Sequence, residues 1–178
     1  MTRAQFLARL IPFVGAPLAV LVATRRDGPS AAAVRAHMSN DIPSGELKKT
    51  REEWRQLLHS SAYAVLFEEG TERAFTSPLN EEKRTGTYIC AACFQPLFDS
   101  RAKFDSGTGW PSFFEPLPNA VGTSVDKSLF VTRTEIHCRR CGGHLGHVFD
   151  DGPKPTGLRY CMNGVAMRFE PAEAEGAG

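Results

Sequence analysis

Five cysteines divide by spacing into two pairs and a singleton. Cys90 and Cys93 form one C-x-x-C, Cys138 and Cys141 form another, and Cys161 stands alone in Leu158-Arg159-Tyr160-Cys161-Met162-Asn163. A C-x-x-C sets two thiolates on one tight turn so that both can point at a single ion, and a second such turn completes a tetrahedral set for which zinc is the expected metal. Cys90 closes a predicted strand, and Gly142-Gly143 after Cys141 free the backbone for the turn. Because the pairs lie far apart in sequence, a shared zinc would clamp two halves of the domain and act as a folding element. Two structural disulfides, a four-thiolate iron–sulfur cluster and a redox-active C-x-x-C are the competing uses of these sulfurs.

That division leaves Cys161 for chemistry. On an extended strand, residues two apart share a face, so Arg159, Cys161 and Asn163 are expected to project together. A guanidinium beside a thiol favours the nucleophilic thiolate; a buried, inert cysteine is the alternative. Upstream runs Gly143-His144-Leu145-Gly146-His147-Val148-Phe149-Asp150-Asp151-Gly152-Pro153. The cysteines already fill one tetrahedral site, so acid–base duty near a thiol fits His144 and His147 better than metal binding. Two hydrogen-bonded histidines in a turn are the plainer reading. A third segment, from Lys103 to Phe114, is dense in glycine and aromatics, with Trp110 held between Gly109 and Pro111. It is either a packed turn or a means of presenting an indole face at a pocket.

The elements that must position these groups are short. Leu47, Trp54, Leu57 and Leu58 fall on one face of a predicted amphipathic helix from Glu46 to His59, whose charged other face reads as solvated surface. Downstream, Gly86 to Cys90, Ser128 to Ile136, His144 to Phe149 and Leu158 to Phe169 read as strands, which predicts a mainly β, mostly antiparallel domain with little helix beyond the first. The 178 residues carry a formal net charge of +1, which gives no electrostatic reason to expect nucleic acid as a partner.

Residues 1–40 read as a targeting extension. No acidic residue occurs from Met1 to Arg26, and Arg3 and Arg9 precede an apolar run from Leu10 to Ala23 with small residues at Ala31 to Ala33. This layout fits a signal peptide and export to a bacterial periplasm; the run is too short and too interrupted for a permanent transmembrane helix. An organelle transit peptide or an uncleaved extension in a cytosolic chain are the alternatives. The catalytic domain is expected over residues 41–171, with a disordered tail over 172–178.

Five ordered motifs closely resemble the methionine-R-sulfoxide reductase (type B) family: Gly107-Thr108-Gly109-Trp110-Pro111-Ser112-Phe113, the segment from Gly143 to Pro153, Arg159-Tyr160-Cys161-Met162-Asn163, and both C-x-x-C pairs. The resemblance implies two antiparallel sheets, a structural zinc on Cys90, Cys93, Cys138 and Cys141, and reduction of the R epimer of methionine sulfoxide, free or in proteins. It implies that Cys161 attacks the sulfoxide sulfur while His147, helped by His144, protonates the oxygen, leaving a sulfenic acid. Trp110 and Phe149 would form the apolar wall for the methyl group, and Arg159, Asn163 and Asp151 the polar side. Two positions depart from the pattern. Thr108 stands where many relatives carry a resolving cysteine, so an external thiol such as thioredoxin, glutaredoxin or a small thiol is expected to recycle a monomeric enzyme. Gly164 stands where relatives often have Ser, a change expected to matter little. A non-enzymatic zinc module that binds a protein partner and a peroxide-sensing thiol are the competing functions.

Overall fold

The computed structural model describes residues 47, 49–128 and 132–173, so the targeting features expected in residues 1–40 and the tail beyond residue 173 lie outside the described residues. Two helices, α1 (Arg51–Leu57) and α2 (Ser60–Glu68), precede the strands β1 (Gly86–Cys90), β2 (Pro96–Asp99), β3 (Lys103–Phe104), β4 (Ser112–Phe113), β5 (Val121–Asp126), β6 (Arg133–Cys138), β7 (His144–Phe149), β8 (Arg159–Met162) and β9 (Met167–Pro171). They form two sheets, β2-β1-β9 and β3-β4-β8-β7-β6-β5, with antiparallel pairings. The expected mainly β architecture of two antiparallel sheets is what the chain adopts.

The helical region differs from the single helix expected over Glu46 to His59. Thr50 caps α1 through a reciprocal pair: its hydroxyl accepts from Glu53 N–H at 3.2 Å, and its own N–H donates to Glu53 Oε2 at 2.7 Å. That capping box fixes the start at Arg51, five residues after Glu46. Leu58 turns extended at φ −109°, ψ 150°, and His59 caps a second helix that buries Ala62, Tyr63, Val65 and Leu66. Trp54 is buried as expected, whereas Leu57 is 62% exposed because the helix ends before its face can turn inward.

Two strand boundaries also move. Of the strand expected from Ser128 to Ile136, the described strand residues are those of β6 from Arg133 on; Asp126 Oδ1 accepts Ser128 N–H at 2.7 Å, and Asp126 Oδ2 accepts from Arg133 at 2.7 Å. The run from Leu158 to Phe169 breaks at Asn163, where a 3-10 turn over Gly164–Ala166 carries the chain from the six-stranded to the three-stranded sheet. Glu72 causes the break by taking the N–H groups of Gly164 and Val165 on its carboxylate. The sheets meet through aromatic packing. Phe98 of β2 stacks on Phe113 of β4 at 4.3 Å between centroids, and Tyr88 of β1 meets Phe113 edge-on at 4.9 Å. All three rings are fully buried.

Candidate active site

The two C-x-x-C turns are built alike. Phe94 N–H returns to Cys90 O at 3.0 Å and Gly142 N–H to Cys138 O at 2.9 Å, with both residues left-handed at φ 60° and 71°. Their four sulfur atoms lie within 4.8 Å of one another, with Cys90 to Cys141 at 3.8 Å and Cys93 to Cys138 at 3.5 Å. A tetrahedron with Zn–S bonds of about 2.3 Å has sulfur–sulfur edges of about 3.8 Å, whereas a disulfide needs about 2.05 Å. The donor set therefore fits a zinc ion with no position left for substrate. Such an ion would pin the end of β1 to the end of β6, so its contribution is to the fold.

Cross-strand register assembles the remaining chemistry. In β7–β8 His147 lies directly opposite Cys161, in β6–β7 Glu135 opposite His147, and in β4–β8 Ser112 opposite Cys161. Directly opposed residues share a sheet face, so Glu135, His147, Cys161 and Ser112 form one row. His144 and His147 are three apart and would face opposite ways on a regular strand. A register shift between Ile136 and His137 bulges β7 and turns both rings to one side, 5.4 Å apart.

Each histidine has its own carboxylate. His144 Nδ1 lies 2.7 Å from Glu135 Oε1, and His147 Nε2 lies 2.8 Å from Asp126 Oδ2. Hydrogen bonds from Ser128 and His147 hold the Asp126 carboxyl well below the usual carboxylate range. Burial pushes His147 below its ordinary imidazole value, with Asp126 opposing. His147 therefore rests neutral at pH 7. Burial also pushes the Cys161 thiol up, and it outweighs the lowering by Thr108 and Arg159. The Arg159 guanidinium alone thus does not hold the resting thiolate that its sequence position suggests.

The expected pocket residues are distributed as follows. Arg159 makes a two-pronged pair with Asp151, both contacts at 2.8 Å, and stacks on the Phe149 ring at 4.4 Å. Thr108 Oγ1 lies 3.9 Å from Cys161 Sγ and continues through Ser106 to Ser112 by hydroxyl contacts of 2.8 and 2.7 Å. Trp110 donates its indole N–H to Glu72 O at 3.1 Å. Asn163 does not project with Arg159 and Cys161: β8 ends at Met162, and Asn163 is 4% exposed. Its Oδ1 accepts Glu72 N–H at 3.0 Å and its Nδ2 donates to Leu145 O at 3.1 Å, so both ends of its amide are engaged within the fold. Glu72, Asp126 and Glu135 are the groups that sequence reasoning missed. Alternation along β5 and β6 carried a signal for the last two, since Glu135 sits on the row that leads to Cys161 and Asp126 lies on the same sheet face. Glu72 lies in a loop without periodicity and carried none.

A zinc-fitted β domain with a half-buried thiol set across two strands from paired histidines has the makings of a thiol-dependent oxidoreductase. Residues 58–171 match the SelR domain family. A peptide methionine sulfoxide reductase MsrB of Agrobacterium fabrum is 53% identical over 133 residues, which span 74% of this chain and 98% of that protein. One of Pseudomonas putida is 53% identical over 129 residues, 72% of this chain and 97% of that protein. One of Thiobacillus denitrificans is 52% identical over 137 residues, 76% of this chain and all of that protein. The chain belongs to the MsrB family of peptide methionine sulfoxide reductases. Its activity is therefore reduction of methionine sulfoxide, and the family's zinc is the metal its four cysteines fit. Among the described residues, no helix is long and apolar enough to cross a membrane.

Proposed function

We propose that this chain reduces the R epimer of methionine sulfoxide, protein-bound or free, through a Cys161 sulfenic acid that an external thiol regenerates. The observation that carries the reading is the register of β7 against β8, which sets His147 opposite Cys161. A sulfoxide is a poor electrophile until its oxygen is protonated, so a thiol and a proton carrier must converge on it. His147, neutral at rest and backed by Asp126, takes the Cys161 thiol proton and passes it to the sulfoxide oxygen, with His144 beside it. The Cys161 sulfur bonds to the sulfoxide sulfur; the protonated oxygen then passes to the Cys161 sulfur as the new S–S bond and the substrate's S–O bond both break, so methionine leaves and Cys161 holds the oxygen as S–OH.

Trp110 and Phe149 face the methyl group, and Arg159 with Asp151 borders the polar side; Asn163 acts from beneath by fixing the loop after β8. With four sulfurs given to zinc and Thr108 beside Cys161, no second thiol is in place to resolve the sulfenic acid. One molecule of thioredoxin or a similar thiol therefore condenses with it, releasing water, and a second thiol frees Cys161. The reading includes a monomer, an exported location and repair of oxidised proteins. The test incubates the protein and its Cys161→Ser variant with separated R and S epimers of a blocked methionine sulfoxide plus dithiothreitol. R-only turnover that vanishes in the variant is expected; equal turnover by both proteins, or by both epimers, rejects the mechanism. A Cys161-containing intramolecular disulfide after turnover would reject the recycling route.

A further inference from the structure

A groove of about 660 Å³ opens beside Trp110, with Phe75, Lys103, Phe104 and Pro111 among its lining residues. It does not include Cys161, yet a single residue, Thr108, separates the two. Gly107, Gly109 and Trp110 border the groove, while Thr108 between them lies against Cys161 Sγ. The volume exceeds what one methionine sulfoxide side chain fills, so the thiol pocket does not account for it.

Two independent features mark the groove as built for a ligand. Phe75 is 74% exposed, an unusual fate for a large aromatic, and it is held left-handed at φ 64°, an uncommon conformation for a residue with a side chain. The structure enforces both. Phe75 N–H donates to Gly109 O at 2.7 Å, Asn80 Nδ2 donates to the same oxygen at 3.0 Å, and the Phe75 ring covers Gly109 where a Cβ would come within 2.8 Å of it. Strain of this kind, spent on presenting rather than burying an aromatic, is characteristic of binding sites. The charges around the groove balance: Lys83, Arg84 and Lys103 face Glu81, Glu82 and Asp105. Arg84 is paired with Glu82, and Lys103 Nζ is given to Asn80 O at 2.8 Å. A rim whose charges balance, with Arg84, Glu82 and Lys103 already engaged, favours an uncharged occupant.

Resting on the reductase reading, we propose that this groove takes the polypeptide flanking an oxidised methionine, with Phe75 packing on an apolar side chain next to it. Phe75 then makes the groove selective for the apolar character of the residue beside the oxidised methionine. The test compares kcat/KM on a blocked methionine R-sulfoxide and on a pentapeptide carrying it between leucines. Wild type favours the peptide, and Phe75→Ala loses about ten-fold on the peptide, the scale of one apolar contact, against under two-fold on the blocked amino acid. Phe75→Leu retains most of the preference. Equal loss on both substrates, or none on the peptide, overturns the proposal. Calorimetric binding of the same peptide to Cys161→Ser protein, with and without Phe75→Ala, gives a readout that needs no turnover. If wild type reduces no sulfoxide while binding still depends on Phe75, the reductase reading fails and the groove stands. Binding indifferent to Phe75 overturns the groove.

Discussion

Glu72→Ala should loosen the active site from behind, because Glu72 joins three parts of it. Its carboxylate accepts Gly164 N–H and Val165 N–H, its own N–H holds Asn163 Oδ1, and its carbonyl holds the Trp110 indole. Alanine keeps the two backbone contacts and removes the two carboxylate ones. A buried donor left without an acceptor costs about 1–3 kcal/mol, so two of them give about 2–6 kcal/mol, with water entry favouring the lower half. For a domain of this size that corresponds to a fall in Tm of roughly 6–18 °C. The chain just after Cys161 gains freedom, and displacement on the order of 1 Å at a reacting atom can cost up to about 100-fold in rate. Thermal melts and kcat/KM should therefore fall together. Glu72→Gln keeps one acceptor and should lose about half as much stability. An alanine variant within about 0.5 kcal/mol of wild type and fully active, or a glutamine variant as damaged as alanine, would refute the reasoning.

Chelating the metal should unfold the chain, since structural zinc supplies about 10–16 kcal/mol against a net stability of about 5–15 kcal/mol. One zinc per chain by metal analysis and loss of a cooperative melt on its removal are expected; an unchanged melt of the metal-free protein contradicts this. Because burial holds the Cys161 thiol protonated, its alkylation by iodoacetamide should accelerate as pH rises, with a midpoint above the ordinary thiol value. Arg159→Ala should move that midpoint higher, and a rate flat from pH 6 to 8 would show a resting thiolate instead. Gly164 matters more than its sequence suggested, since a Cβ there would sit 1.9 Å from Ser77 Oγ. Gly164→Ser should destabilise by about 1–3 kcal/mol, and adding Ser77→Gly should restore most of it, as denaturant melts of the double variant can check.

The chemistry was legible in the sequence wherever it depended on spacing. Two C-x-x-C turns announce four converging sulfurs, because a turn of that length brings its own two thiolates together whatever surrounds it. Subtracting those four leaves Cys161, and the short β-branched runs flanked by glycine announce a mainly β domain. Local signals were misleading where a distant group overrode them. The strand reading through Asn163 is sound by alternation, yet Glu72, ninety residues upstream, captures the next two N–H groups and ends it.

Tertiary structure alone decided the rest. A bulge in β7 sets His144 and His147 on one face, a choice made by pairing with β6 and invisible in β7 itself. The pairing of β5, β6 and β7 brings Glu135 to His144 and Asp126 to His147. Burial, which no residue spacing encodes, reverses the resting state that Arg159 suggests for Cys161. The sequence by itself determined which atoms are reactive, since that is a property of side-chain type. Their protonation and mutual reach come from register and desolvation, which exist only once the strands have paired.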